Sequence, residues 1–122
     1  MTSSYWKARR ELRYYGEVVR LAREHAPAGG SALDVGANDT EVLDRLGWFD
    51  RRVALDVDQI PPRPGVETVV ADFEQFKPNE RFDLVLCLQV LEHLDRPRPF
   101  ARKLLAAGRT TIIASPTSGP AG

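Results

Sequence analysis

Four small groups of acidic and polar residues recur along this chain, each closing an apolar run: Asp34-Val-Gly36, Asp56-Val-Asp58, Asp72-Phe73, and Gln89 with Glu92-His93. Carboxylates accept hydrogen bonds from hydroxyls and amines, and a glycine beside them lets a ligand approach the backbone where a Cβ would otherwise stand. Asp56 follows Gly36 by about twenty residues, a spacing that suits a carboxylate accepting from both ribose hydroxyls of an adenosine. Asp72 could receive the adenine amino group, with Phe73 offering a ring edge or face. Each residue also has a plainer reading. Asp56 would then cap a loop, Asp72 would bond its own backbone in a turn, and Gly36 would only turn the chain.

The turn after the first run decides what kind of adenosine compound fits. Asn38 stands where a second glycine is common, and Asn tolerates positive φ well enough for the turn to form. Asp39 and Glu41 suit the positive end of a following helix, and Asn38 with Glu41 has the spacing of a capping box. Those same charges would repel the pyrophosphate that a dinucleotide places there, which disfavours a nicotinamide-dependent oxidoreductase. S-adenosylmethionine carries no phosphate but does carry a sulfonium, an ammonium and a carboxylate. Asp34 could hold the ammonium directly or through water, so this cofactor fits the turn better than NAD.

Glu92 and His93 admit three readings. His93 could act as a general base, since its reference pKa of about 6.5 suits proton abstraction. Both could ligate a metal, but Gln89 is a poor hard ligand and the only other histidine, His25, belongs to a distant segment. Alternatively Glu92 stabilises a first helical turn and His93 packs at a pocket rim. No metal is assigned.

These residues need strands and helices to hold them. From Tyr5 to His25 the apolar positions Tyr5, Ala8, Leu12, Tyr15, Val19 and Ala22 alternate in steps of three and four, one stripe of an amphipathic helix. Its basic residues and aromatic Tyr5, Trp6, Tyr14 and Tyr15 could contact an acidic substrate or RNA, but core packing with a solvated charged face is favoured. The runs SALDVGA, RRVALDVD, ETVVADF, FDLVLCLQV and TTIIASP follow, mostly apolar without strict alternation, as strands buried on both faces should be. Glu41 to Phe49 is predicted as a helix of about two turns. The three prolines of QIPPRPGV force an irregular crossover, and EQFKPNER leaves room for at most one helical turn. Leu91–Leu94 and Pro99–Ala107 read as helix, with Gly108 just past the end. Strands alternating with helices imply a parallel sheet with right-handed crossovers.

ALDVGANDTEVL, VALDVD, VVADFEQF and FDLVLCLQVLEHL, in this order, resemble the successive motifs of class I S-adenosylmethionine-dependent methyltransferases. The resemblance covers roughly residues 31–116. It implies an α/β, Rossmann-like three-layer fold with a mainly parallel sheet of about five strands behind a leading helix. It also implies Asp34 and Gly36 near the methionine part, with Asn38 in the same turn, Asp56 and Val57 on the ribose side, and Asp72 and Phe73 near adenine. Leu88 and Gln89 would wall the methionine pocket. The expected function is methyl transfer to a small-molecule or undefined acceptor. The alternative is a catalytically inactive relative serving as a binding or regulatory subunit.

Composition sets the outer bounds. The 122 residues make one expected domain: a leading helix over 1–30, a core over 31–116 and a flexible tail over 117–122. Seventeen basic and seventeen acidic residues cancel, so no global field points to nucleic acid or membrane. The one cysteine, Cys87, sits in an apolar run as a buried filler, and no apolar run reaches membrane-spanning length, so a cytoplasmic setting is expected. Family members usually continue beyond the fifth strand. Thr110 to Ala114 would then be an exposed edge, expected either to pair with another chain, as in a homodimer, or to precede further natural sequence.

Overall fold

A computed structural model describes residues 3–38, 41–79, 81–88 and 90–114, with side chains for all of these except 3–12 and 92. The order is α1 (Ser3–His25), β1 (Gly30–Val35), a 3-10 turn (Val42–Arg45), β2 (Phe49–Asp56), β3 (Glu67–Val70), β4 (Phe82–Leu88), a second 3-10 turn (Leu91–His93), α2 (Pro97–Ala107) and β5 (Gly108–Ala114). All neighbouring strands pair parallel, in the spatial order β3-β2-β1-β4-β5. This is the Rossmann-like α/β arrangement that the alternating pattern predicts. Strand order reverses beside β1, where chain continuity passes to β2 on one side and β4 lies on the other.

The central strands are apolar on both faces because both faces are covered. Ala32, Leu84, Leu86 and Ile112 meet Val18 and Ala22 of α1, along with Val42 and Leu43 of the first 3-10 turn and Leu46 just after it. On the opposite face, Leu33, Val35, Val53, Leu55, Val85 and Cys87 pack with Phe100, Leu104 and Ala107 of α2. Each fully buried Leu or Val contributes about 1.5–3 kcal/mol relative to exposure, so these two layers are the main stabilising term. Asp83 pins the starts of β1 and β4 together: its Oδ2 accepts from Ser31 N at 2.9 Å and Ser31 Oγ at 3.3 Å.

Two predicted elements differ. Glu41 to Phe49 does not form a two-turn α-helix, because Phe49 is drawn into β2 and Gly47 interrupts the segment, leaving only the 3-10 turn. Glu41 is the residue capping that turn and makes no side-chain capping bond, so the capping box with Asn38 is absent. α2 begins at Pro97, two residues earlier than predicted, since Pro97 and Pro99 both occupy first-turn positions whose N–H groups no helix needs. The proline-rich crossover is irregular, as expected, closed by a single bridge between Arg63 and Val66. Tail residues 117–122 lie outside the described residues. No described helix is long and apolar enough to cross a membrane.

Burial pushes the Cys87 thiol up to about 12, with Asp34 adding a like-charge contribution. Its thiolate is disfavoured in the fold, so this contribution to stability is full below the ordinary thiol value near 9 and is lost as pH rises toward 12. Native protein at pH 8 should therefore resist iodoacetamide while urea-unfolded protein alkylates at once, read by intact mass.

Candidate functional site

The strand ends build a cleft of about 290 Å³ beside the point where strand order reverses, the place where open parallel sheets bind ligands. Gly36 ends β1, Asp56 and Val57 end β2, Asp72 and Phe73 follow β3, and Phe100 of α2 forms the far wall. Its volume lies near the lower end of the ~300–1,000 Å³ usual for small-ligand pockets. None of the described residues lining it is Lys or Arg.

Asp56 organises the rim. Its Oδ2 accepts from Asn38 N at 2.8 Å and its Oδ1 accepts from Asp58 N at 3.0 Å. One carboxylate thus ties the turn after β1 to the loop after β2. A carboxylate has about four lone-pair sites, so each oxygen keeps capacity for a further donor. Gly36 N and Ala37 N both donate to Leu55 O, at 2.8 and 3.0 Å, and complete the link between β1 and β2. Asp72 Oδ1 accepts from Glu74 N at 2.9 Å, the local turn bond that was the plainer reading of this residue. Phe73 packs at 5.2 Å from Phe100, centroid to centroid, and Lys103 Nζ sits 5.0 Å from the Phe73 ring centre. Val57 is 64% exposed, a large apolar side chain open at the cleft mouth.

Gly36 and Asn38 both adopt the left-handed backbone that shapes the turn. Their φ values are +73° and +48°. A Cβ on Gly36 would overlap Val90 Cγ2, so the bare Cα is where another group lies closest to the turn. Gly36→Ala is expected to lower stability by about 1–3 kcal/mol, since both the left-handed backbone and the Val90 contact oppose it. Thermal melts of the two proteins check this.

The cleft brings together Gly36, Asp56, Val57, Asp72 and Phe73 of the predicted set. Asp34 does not line it; it is 1% exposed within β1, with its interactions made inside the fold. Leu88 is buried at the end of β4, and Asn38 is exposed beside the rim. His93 is exposed in the second 3-10 turn, its N–H donating to Val90 O at 3.0 Å, and does not line the cleft. Asp39, Thr40 and Gln89, and the side chain of Glu92, lie outside the described residues. Val90, Leu94 and Phe100 line the cleft without having been singled out, because in sequence they read as ordinary core positions. A shortened segment after β1 also changes the argument about phosphate. Here a four-residue 3-10 turn replaces the α-helix whose dipole would draw an anion.

A larger cleft, about 480 Å³, opens at the amino ends of the strands between Arg51, Arg81 and Asp83. Three of its charges are engaged: Arg51 Nε pairs with Glu67 at 2.7 Å, Arg81 donates to Gly108 O at 2.7 Å, and Asp83 accepts from Ser31.

Comparison with known proteins adds the following. A family model described as a methyltransferase domain matches residues 5–111. No curated protein matches. Among solved structures, a proposed type II methyltransferase from Anaeromyxobacter dehalogenans is 27% identical, with a TM-score of 0.63 over 81% of this chain and 45% of that one. The N-methyltransferase NodS from Bradyrhizobium japonicum WM9, solved with S-adenosyl-L-homocysteine, is 18% identical, with a TM-score of 0.71 over 85% of this chain and 61% of its own. The amino pentose methyltransferase CalS10 from Micromonospora echinaspora, solved with S-adenosylmethionine, is 20% identical, with a TM-score of 0.68 over 93% of this chain and 56% of its own. The chain spans about half the length of these structures.

Proposed function

Because this chain belongs to the methyltransferase-domain family, the class I S-adenosylmethionine-dependent methyltransferases, we propose that its strand-end cleft holds S-adenosylmethionine for methyl transfer to a small nucleophilic acceptor. S-adenosylmethionine is the cofactor of the family. The observation that carries the proposal is the convergence of Gly36, Asp56, Val57, Asp72 and Phe73 on one cleft whose lining, among the described residues, has carboxylates and no cation.

The residues present fit such a molecule. Asp56 has a free acceptor site on each oxygen for the two ribose hydroxyls, since each oxygen takes only one backbone N–H. Val57 and the Phe73–Phe100 pair offer apolar surface for a purine, and Asp72 keeps one oxygen for its amino group. Gly36 passes the chain toward the methionine end, where the family likeness assigns Asp34, Asn38, Leu88 and Gln89. A bound cofactor supplies an electrophilic methyl carbon on a sulfonium. The protein's work is to fix the adenosine half, so that an acceptor meets that carbon at near-attack distance. His93, exposed beside the cleft, is the residue assigned to take the acceptor's proton. The amino pentose methyltransferase among the matched structures supports a small-molecule acceptor. The reading also includes the cytoplasmic setting expected from the sequence. Its last element is pairing of β5 with another chain, supported by an outer edge that no described strand occupies.

Titration calorimetry with S-adenosylhomocysteine tests the proposal, with NAD as the competing ligand. Saturable heat with the first and none with the second is the expected result. Binding of NAD alone, or of neither, would remove it.

A further inference from the structure

The larger cleft, at the amino ends of the strands, shares no lining residue with the one at their carboxyl ends. At about 480 Å³ it falls inside the ~300–1,000 Å³ usual for small-ligand pockets. It is bounded by the starts of β1, β2 and β4 and by the loop over residues 76–79, and none of its lining residues belongs to β5. Hydrogen bonds tie its frame together. Asp83 N donates to Ser31 Oγ at 3.2 Å while Asp83 Oδ2 accepts from Ser31 N, a two-way clasp between β1 and β4. The carboxylate lies against Gly30, whose φ is +98° and where a Cβ would overlap it.

Among the described residues, five charged side chains line this cleft, and they differ in what already meets them. Arg51 pairs with Glu67, and its guanidinium carbon sits 5.7 Å from the Phe82 ring centre. Asp83 is taken up by Ser31 and lies 3.6 Å from Arg109 Nε. Arg81 donates only to a neutral carbonyl, Gly108 O, so its charge is not neutralised and other N–H groups of its fork remain. Lys77 and Asp50 are exposed and have no partner among the described residues. Two opposite charges thus line one cleft without meeting. β1 stands between β2 and β4, which sets Asp50 at the start of β2 two strand spacings, roughly 10 Å, from Arg81 just before β4. Lys77 belongs to the same connection as Arg81, four residues earlier. Apolar surface is present as well, from buried Phe82 and half-buried Phe76 and Pro78.

We propose that this cleft binds a small zwitterion carrying an apolar group, of the amino-acid or dipeptide class. Its carboxylate meets Lys77 and Arg81, its ammonium meets Asp50, and its apolar group lies on Phe76, Pro78 and Phe82. Guanidinium and ammonium donors match a carboxylate, and the Asp50 carboxylate accepts from an ammonium. A phosphate or polyanion is disfavoured, because Asp50 and Asp83 would face it as like charges. A plain hydrocarbon would strip water from the polar rim and return no hydrogen bond. The competing reading, rim charges that are only solvated, predicts no saturable ligand. The inference stands apart from the cofactor reading.

Amide NMR titrations on the full chain test it. L-Phenylalanine and glycyl-L-phenylalanine should give saturable shifts at Ser31, Arg51 and Phe82, and the tighter of the two sets the length of the ligand. 3-Phenylpropionate, which lacks the ammonium, and phenethylamine, which lacks the carboxylate, should each bind about fivefold more weakly or worse. Lys77→Ala and Asp50→Ala change exposed side chains outside the other cleft. Each should weaken phenylalanine by a similar factor, with the melting temperature and S-adenosylhomocysteine binding unchanged. In Asp50→Ala, phenylalanine should lose its advantage over 3-phenylpropionate. No saturable shift, shifts confined to Gly36 and Asp72, equal binding of the single-charge compounds to the unaltered protein, tightest binding of inorganic phosphate, or unchanged affinity in both variants would each overturn the proposal. Phenylalanine binding without S-adenosylhomocysteine binding would remove the cofactor reading and leave this one standing.

Discussion

Asp56→Ala should weaken S-adenosylhomocysteine binding by about a hundredfold or more, measured by the same calorimetry. Hydrogen bonds to a charged acceptor contribute about 1.5–3 kcal/mol each, and two ribose hydroxyls would lose theirs. The loss goes further, because the same carboxylate accepts Asn38 N–H and Asp58 N–H. Alanine releases the turn after β1 as well as the loop after β2. Asp56→Asn separates the two effects: its amide keeps one accepting oxygen and should recover part of the affinity. Unchanged affinity in the alanine variant would sink the assignment of this carboxylate to the ribose.

Leu86→Ala should lower stability by about 2–5 kcal/mol, the range for truncating a buried leucine where the surroundings cannot collapse. Leu86 is fully buried in the middle of β4, hydrogen-bonded between β1 and β5 and covered on its own face by the layer that includes α1. No neighbour can move in without breaking a ladder. A domain of this size has about 5–15 kcal/mol in total, so the variant should melt roughly 6–25 °C lower. Calorimetric or circular-dichroism melts read this directly. A drop of only a degree or two would mean that the two layers share less of the stability than their burial implies.

Much of the fold was legible because burial on both faces writes itself into the residues. β1 and β4 are nearly continuous apolar runs, and the stripe from Tyr5 to Ala22 has helical spacing whatever it packs against. The segment Glu41–Phe49 was not legible. Its composition suits a helix, and only the sheet's claim on Phe49 and the stop at Gly47 reduce it to one 3-10 turn. Of the candidate site, the groups contributed by strand ends were readable, since their position follows from strand direction. Val90, Leu94 and Phe100 were not, because a residue facing a cleft and one facing a core look alike in sequence. Nor was the double use of Asp56. Its bond to Asn38 N joins residues eighteen apart, and nothing local announces it.

The placement of β1 at the middle of the sheet also shapes how the molecule is made. β2 is synthesised soon after β1, but β4, its other neighbour, follows only later; Ser31 and Asp83, which clasp the two, are separated by 52 positions. During translation an apolar strand therefore leaves the ribosome with one flank satisfied and the other bare. Non-local pairing of this sort is slow and leaves intermediates prone to aggregate. Yield in cells should accordingly respond to growth temperature and chaperone supply before it responds to any property of the finished cleft.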